Sequence, residues 1–323
     1  MPDSISVVVH AACPGPLAET VRARHPDVGV TTCDSYEGLP AILQAERPHV
    51  VFTIRFAGTP SFPASALVGA DGPRWIAVGG SGVDHLGQWD DARTTVTNSA
   101  GVAADMMAEY VMAAALYFRL DVPGLEADKS LRHWRRDRVL GLLRGGNALI
   151  VGLGRTGQAV VARARAFGMR IIGVRATPRP MPGVDEIHSP EHLPQLWGSA
   201  DLVAICVPLV PGTRGLVSAA AIAAMKKDAI LVDVSRGGVS DCRALASALR
   251  AGRLAGAALD VFETEPLPID HPLWQAPRMM ISPHCSSVFV GWEQATIAMF
   301  CDNLRRWKDG EPLENVVDPR RGY

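Results

Sequence analysis

The stretch ALIVGLGRTGQAVV, residues 148–161, confines this chain more than any other. An apolar run of strand-forming residues ends in Gly152-x-Gly154-x-x-Gly157, and a helix-forming segment begins at once. The first glycine permits a tight turn, the second lets a ligand's phosphates approach the backbone, and the third lets the helix pack on the strand. N–H groups at the helix start, Arg155 and Thr156 among them, then offer a partial positive charge to an anion. The glycine spacing alone is a weak signal. With a strand before it, a helix after it and a second strand at RIIGV (170–174), it predicts a dinucleotide-binding βαβ unit.

Such a unit needs a parallel sheet, and the rest of the chain supplies one. Strands are expected at ISVVV, HVVFTI, RWIAV, ALIVG, RIIGV, DLVAICV, AILVDV, LAGAALD and MMIS, with helices such as PAILQAE, GQAVVARARAF and DCRALASALRAG between them. This alternation predicts an α/β fold with doubly wound parallel sheets. Long helical patterns at about 101–118 and 290–308 flank the nucleotide-binding block. The chain is therefore expected to leave its first domain, build a second over 99–285, and return, so that 1–98 and 286–323 form one discontinuous domain.

At 323 residues the chain suits about two domains. Its formal net charge of −1 gives no global basic field for nucleic acid or anionic lipid, so any anion site must be local. The six cysteines show no Cys-x-x-Cys pair and no Cys/His ligand spacing, which points to free thiols and no metal. The start, MPDSISVVVH, lacks the basic segment of a signal peptide, and the segment 101–118 is too short and too polar to span a bilayer. A cytoplasmic protein is expected.

At the end of the second strand of a dinucleotide fold an acid usually holds the ribose hydroxyls, yet here stands Arg175, followed by Thr177 and Arg179. A guanidinium pairs with a 2′-phosphate through charge-assisted, often bidentate, hydrogen bonds. NADP(H) is thus the expected cofactor, with NAD(H) as the second choice. Arg175 could instead stack on adenine or point to solvent, leaving a site indifferent to the phosphate.

Three further strand ends carry chemistry: Arg236 in VSRGG, Asp260 and Glu265 in LDVFETEPLP, and His284 in SPH. Ligands of doubly wound sheets bind beyond the carboxyl ends of strands, so these side chains are expected to converge. Arginine can hold a carboxylate and polarise an adjacent carbonyl. Histidine exchanges a proton near neutral pH, and a neighbouring carboxylate orients it and favours its protonated form.

GLGRTG, VSRGG, LDVFETEPLP and SPH, in this order, resemble the D-isomer-specific 2-hydroxyacid dehydrogenase family, and in particular its glyoxylate/hydroxypyruvate reductase-like members. GGSGVDHL (79–86), TNSAGVAADMMAEY (97–110) and GEPLENVVD (310–318) extend the resemblance along most of the chain. It implies a Rossmann-type nucleotide domain inserted into a flavodoxin-like substrate domain, with Arg236, Glu265 and His284 as the catalytic group. It also implies that Val234, Ser235 and Asp260 hold the nicotinamide, that Cys206 and Pro208 line the adenosine side, and that Gly80, Ser81 and Gly82 bind the substrate carboxylate. Arg55, in FTIRFAGTP (52–60), is a candidate for an extra substrate contact, with an exposed loop cation as the alternative. A homodimer built partly on the segment after residue 118 follows from the same resemblance.

The expected reaction is NADPH-dependent reduction of a small 2-oxo acid such as glyoxylate or hydroxypyruvate to the D-2-hydroxy acid, with His284 as proton donor. Larger branched or aryl 2-oxo acids are an alternative substrate class, and a nucleotide-sensing scaffold or corepressor is an alternative function. Formate oxidation on this fold pairs the histidine with an amide, and Glu265 argues against it.

Overall fold

The computed structural model describes residues 5–56 and 61–322. It divides into two compact units, one of Met1–Val102 with Phe289–Tyr323 and one of Ala103–Val288. The crossings expected after residues 98 and 285 fall a few residues earlier than these divisions.

The first unit holds β1 (Ser6–His10), β2 (Gly29–Cys33), β3 (Val50–Thr53), β4 (Trp75–Val78) and β5 (Thr95–Asn98). They pair in parallel in the order β2-β1-β3-β4-β5, the doubly wound order of flavodoxin-like sheets. Alternation along the strands feeds two cores. Val7, Val9, Val50, Phe52 and Trp75 face one way, against Leu17 and Val21 of the helix Pro14–Arg24 and Ile297, Phe300 and Leu304 of the helix Trp292–Asp309. Val8, Val51, Ile76 and Val78 face the other, against Leu39, Leu43 and Leu67. The C-terminal segment therefore completes a core begun nearly 300 residues earlier, which is why the chain must return. Its tail also pairs with β5, through an antiparallel bridge between Thr97 and Val316.

The second unit holds β6 (Asn147–Val151), β7 (Arg170–Val174), β8 (Glu186–His188), β9 (Leu202–Ile205), β10 (Ile230–Asp233), β11 (Gly256–Leu259) and β12 (Met279–Ile281). All are parallel, in the order β12-β11-β10-β9-β6-β7-β8, a Rossmann arrangement with a seventh strand. The helix Ala104–Arg119 buries Ala108, Val111, Ala115 and Phe118 against one face. Register aligns Val174, Val151, Ile205, Asp233, Leu259 and Ile281 across six strands. The residues that follow each strand therefore emerge along a single edge.

Three strands were not legible in the sequence: β2, β5 and β8. Each lies at a sheet edge, and their sequences GVTTC, TVTN and EIH are rich in polar residues and lack the apolar run of a strand buried on both faces. Among the described residues no helix is long and apolar enough to cross a membrane.

In the first unit, His10 is fully buried at the end of β1, with Nδ1 hydrogen-bonded to Thr53 Oγ1 (2.8 Å) and its ring packed against Tyr36, Phe56 and Phe62. Burial pushes its pKa from 6.5 down to about 4. Between these values the unfolded chain binds a proton that the folded chain refuses, so stability falls as pH drops through that window. The loss approaches about 3 kcal/mol near pH 4. Urea unfolding of the His10→Gln variant should show a flatter pH dependence between pH 6.5 and 4. An unchanged slope would remove His10 from that role.

Candidate active site

The glycine turn is built as its spacing demands. Gly152 has φ +97°, and a Cβ there would lie 2.4 Å from the Cys206 carbonyl oxygen. A Cβ on Gly157 would lie 1.9 Å from the Gly152 carbonyl oxygen, so only glycine lets the helix Arg155–Ala166 start so close to β6. Gly154, the residue capping that helix, differs: a Cβ there would meet nothing within 4 Å. The turn thus leaves open space beside the helix N-terminus, as a pyrophosphate requires. Arg155 is exposed, whereas the Thr156 hydroxyl points to Met107 Sδ (3.6 Å).

Cys206 follows β9 and joins the turn through its backbone, with its N–H donated to the Val151 carbonyl (2.8 Å). Burial pushes its thiol up to about 12, so it stays neutral. The Pro208 carbonyl accepts from Thr213 Oγ1 (2.6 Å), which shapes the loop beyond. Arg175 leaves β7 with its N–H on the His188 carbonyl (3.1 Å). Its Nη1 is buried and has no hydrogen-bond partner among the described residues. A buried, unsatisfied guanidinium nitrogen is costly, and an incoming phosphate oxygen would relieve that cost. Thr177 and Arg179 are exposed just beyond. The open cradle at Gly154 and the orphaned nitrogen of Arg175 both fit a phosphorylated dinucleotide.

At the other end of the same edge the structure brings His284 and Glu265 together. His284 Nδ1 lies 2.9 Å from Glu265 Oε2, and Glu265 Oε1 accepts the Phe262 N–H (3.0 Å). The carboxylate is thus fixed by its own loop while it orients the ring. Both side chains are about a third exposed, which leaves a reacting group within reach. His284 has φ +54°, a left-handed conformation that costs a non-glycine residue ~1 kcal/mol. The compensation comes from Asp260, which is 1% exposed. Its carbonyl accepts the His284 N–H (2.9 Å), Oδ1 accepts from Ser282 Oγ (2.5 Å) and the Cys285 N–H (2.9 Å), and Oδ2 accepts the Ser286 N–H (2.9 Å).

Arg236 follows β10, beside the strand that leads to Asp260 and Glu265, and its Nη1 donates to the Ser235 carbonyl (2.7 Å). A Cβ on neighbouring Gly237 would lie 1.8 Å from the Phe262 carbonyl oxygen, so the two loops run in contact. Val234 is buried in the core and the Ser235 hydroxyl donates to Asp233 Oδ1 (2.5 Å). Both side chains face inward, and what these two residues offer a ligand is backbone.

The first-unit candidates are placed separately. Gly80, Ser81 and Gly82 follow β4, with the Gly80 carbonyl accepting from the Ser99 N–H (3.0 Å) and the Ser81 carbonyl from Asn98 Nδ2 (2.7 Å). In a trans peptide the N–H points opposite its carbonyl, so the Ser81 and Gly82 amides point away from Asn98 and Ser99. Arg55 follows β3 and is exposed; part of its segment FTIRFAGTP lies outside the described residues.

Sequence reasoning missed Ser282 and Tyr110, whose hydroxyls lie 2.7 Å apart, and Asp233. The first pair spans 172 positions and leaves no local signal. Asp233 was visible as an acid inside the apolar run AILVDV. It accepts from Ser235 N–H, Ser235 Oγ and Ser240 Oγ, and burial raises its pKa. No cluster of metal-ligating side chains occurs among the described residues.

A Rossmann sheet with a phosphate-ready turn and a carboxylate-oriented histidine on one edge defines a nicotinamide-dependent oxidoreductase. Residues 112–286 match the profile of the D-isomer specific 2-hydroxyacid dehydrogenase, NAD binding domain. The chain is 35% identical over 249 residues to D-3-phosphoglycerate dehydrogenase of Methanocaldococcus jannaschii, covering 75% of this chain and 47% of that protein, so it spans about half that relative's length. It is 36% identical over 232 residues to glyoxylate reductase of Korarchaeum cryptofilum, covering 69% of each. Among solved structures, a D-isomer specific 2-hydroxyacid dehydrogenase from Xanthobacter autotrophicus, in complex with NADPH and MES, superposes with a TM-score of 0.84 at 30% identity, covering 99% of this chain and 100% of that one. The chain belongs to the D-isomer-specific 2-hydroxyacid dehydrogenase family of NAD(P)-dependent oxidoreductases.

The two glycines separate fold from binding. Gly154→Ala should leave the melting temperature unchanged and weaken NADPH binding roughly tenfold, about 1.4 kcal/mol, by fluorescence titration. Gly157→Ala should instead destabilise the second unit by about 2 kcal/mol through overpacking. Equal effects of the two substitutions on stability would contradict the placement of the turn.

Proposed function

We propose that this chain reduces a small 2-oxo acid, of the glyoxylate or hydroxypyruvate kind, to the D-2-hydroxy acid with NADPH as the preferred reductant. The observation that carries the reading is the His284–Glu265 pair on the same strand edge as the 152–157 turn. The glyoxylate reductase among its relatives supports the substrate class, and the NADPH complex of its structural neighbour supports the cofactor class.

The bound nicotinamide supplies the hydride that the substrate carbon accepts. His284, held by Glu265 through Nδ1, gives the proton to the carbonyl oxygen from Nε2. Arg236 holds the substrate carboxylate and polarises the carbonyl beside it; in the first unit, the Gly80–Gly82 amides and Arg55 are themselves suited to an anion. Gly152, Gly154, Arg155, Thr156 and Gly157 cradle the pyrophosphate, and Arg175 takes the 2′-phosphate with Thr177 and Arg179 beside it. Cys206 and Pro208 border the adenosine, and the backbone at Val234 and Ser235, with the remaining lone pair of Asp260 Oδ2, meets the nicotinamide.

A second copy of the chain is the proposed partner. The helix Val122–Leu131 buries none of its residues, and Leu131, Trp134, Val139 and Leu142 nearby are 64–90% exposed. Arg138 holds this segment in shape through Asp121, Asp128 and the Gly124 carbonyl. Trp134→Glu combined with Leu142→Glu should shift the species seen by sedimentation from dimer to monomer; a monomeric wild type would refute the arrangement.

The reaction is tested by following reduced-nicotinamide absorbance with NADPH or NADH against glyoxylate, hydroxypyruvate, pyruvate and phenylpyruvate. Small acids with NADPH should be fastest. His284→Ala should lower kcat at least ~10²-fold while sparing NADPH affinity. Arg175→Asp should weaken NADPH far more than NADH. Retained turnover would remove His284 from its role, and equal losses with both cofactors would remove Arg175 from phosphate recognition.

A further inference from the structure

His284 sits in a backbone conformation that its own sequence does not favour, so something outside the turn must hold it there. Asp260 is the immediate support: its backbone carbonyl accepts the His284 N–H, and its carboxylate accepts the N–H groups of Cys285 and Ser286. Its carboxylate is held in turn. Ser282 Oγ lies 2.5 Å from Asp260 Oδ1, and Tyr110 Oη lies 2.7 Å from Ser282 Oγ. The hydrogens can be assigned by elimination. A carboxylate only accepts, so the single hydrogen of Ser282 goes to Asp260, and Tyr110 must donate to Ser282. Burial pushes the Tyr110 hydroxyl up to about 12, so it keeps its proton throughout the neutral range.

The chain of bonds thus runs Tyr110 to Ser282 to the Asp260 carboxylate to the N–H groups of Cys285 and Ser286, which follow His284 in the same turn. It links the helix Ala104–Arg119 to the turn that carries the histidine. Helix and sheet are packed by Phe118, Ala115 and Val111, so Tyr110 projects from a rigid element. Nothing in it reaches the imidazole directly: its one hold on the ring is the backbone on which the ring is mounted. Glu265 fixes the ring from the other side, through Nδ1.

We infer that Tyr110 and Ser282 are positioning residues for the reaction, acting through Asp260 to hold His284 in its left-handed backbone conformation and so fix where its ring delivers the proton. This rests on the reading of His284 as proton donor. A tyrosine hydroxyl that served stability alone would, when removed, lower the unfolding midpoint and leave the turnover of folded enzyme intact.

The test uses the full-length enzyme with NADPH and its best 2-oxo acid, comparing Tyr110→Phe, Ser282→Ala, the double variant, and each in a His284→Ala background. Tyr110→Phe is expected to lower kcat threefold to tenfold, with the NADPH dissociation constant within twofold of wild type at a temperature far below both melting midpoints. Ser282→Ala should cost at least as much, and the double variant no more than Ser282→Ala alone, because one chain of bonds is broken in either case. In the His284→Ala background neither substitution should matter further. Wild-type kcat in Tyr110→Phe or in Ser282→Ala, with His284→Ala impaired, overturns this inference and leaves the catalytic reading standing. An undiminished loss in the His284→Ala background overturns it as well, since the hydroxyl would then act elsewhere. Full turnover in His284→Ala itself overturns the catalytic reading, and this inference falls with it.

Discussion

The parallel register of the second unit is the constraint on which the rest depends. Val174, Val151, Ile205, Asp233, Leu259 and Ile281 share one line across the sheet. Every loop that matters starts one residue later: Arg175, Gly152, Cys206, Val234, Asp260 and Ser282. A slip of one residue at any pairing would turn that strand's side chains to the opposite face. The apolar faces prevent this, because Leu149, Val203, Leu231 and Ala257 belong to one core and Ile150, Leu202, Ile230 and Ala258 to the other. Hydrophobic burial therefore fixes the geometry of a polar site.

Two buried carboxylates carry the edge from strand to loop. Asp233 ends β10 and binds Ser235 and Ser240, shaping the turn that presents Arg236. Asp260 follows β11 and binds Ser282, Cys285 and Ser286, shaping the turn that presents His284. A carboxylate accepts several hydrogen bonds at once, which suits it to gathering the free N–H groups of a tight turn. The cost of burying each one is offset by those bonds. Asp260 thus has a visible structural task alongside any contact with a nicotinamide.

How much was legible differs by layer. The central strands could be read because each is buried on both faces and so carries an uninterrupted apolar run, as in ILVD and LVAI. The edge strands β2, β5 and β8 could not, since TVTN and EIH look like loops until a neighbour pairs with them. In the site, Gly152, Gly154 and Gly157 announced themselves by spacing. Arg236, Glu265 and His284 stood out by chemical type and by position after strands. Val234 and Ser235 were expected to hold the nicotinamide; their side chains face the interior, so it is their backbone that is offered to a ligand. Tyr110 carries no local signal in a helix rich in alanine and methionine.

The sequence by itself determined the α/β class, the glycine turn and the identity of the residues with chemistry to offer, because each is written in short-range pattern: apolar runs alternating with helical stretches, glycine spacing, residue type after a strand. Tertiary structure decided which of those residues touch. The 2.9 Å approach of His284 to Glu265, the four-way grip of Asp260 and the reach of Tyr110 across 172 positions depend on strand order and on small displacements of backbone. Pattern carries no trace of such pairings, since a hydrogen bond is set by a few tenths of an ångström between groups that folding alone brings together.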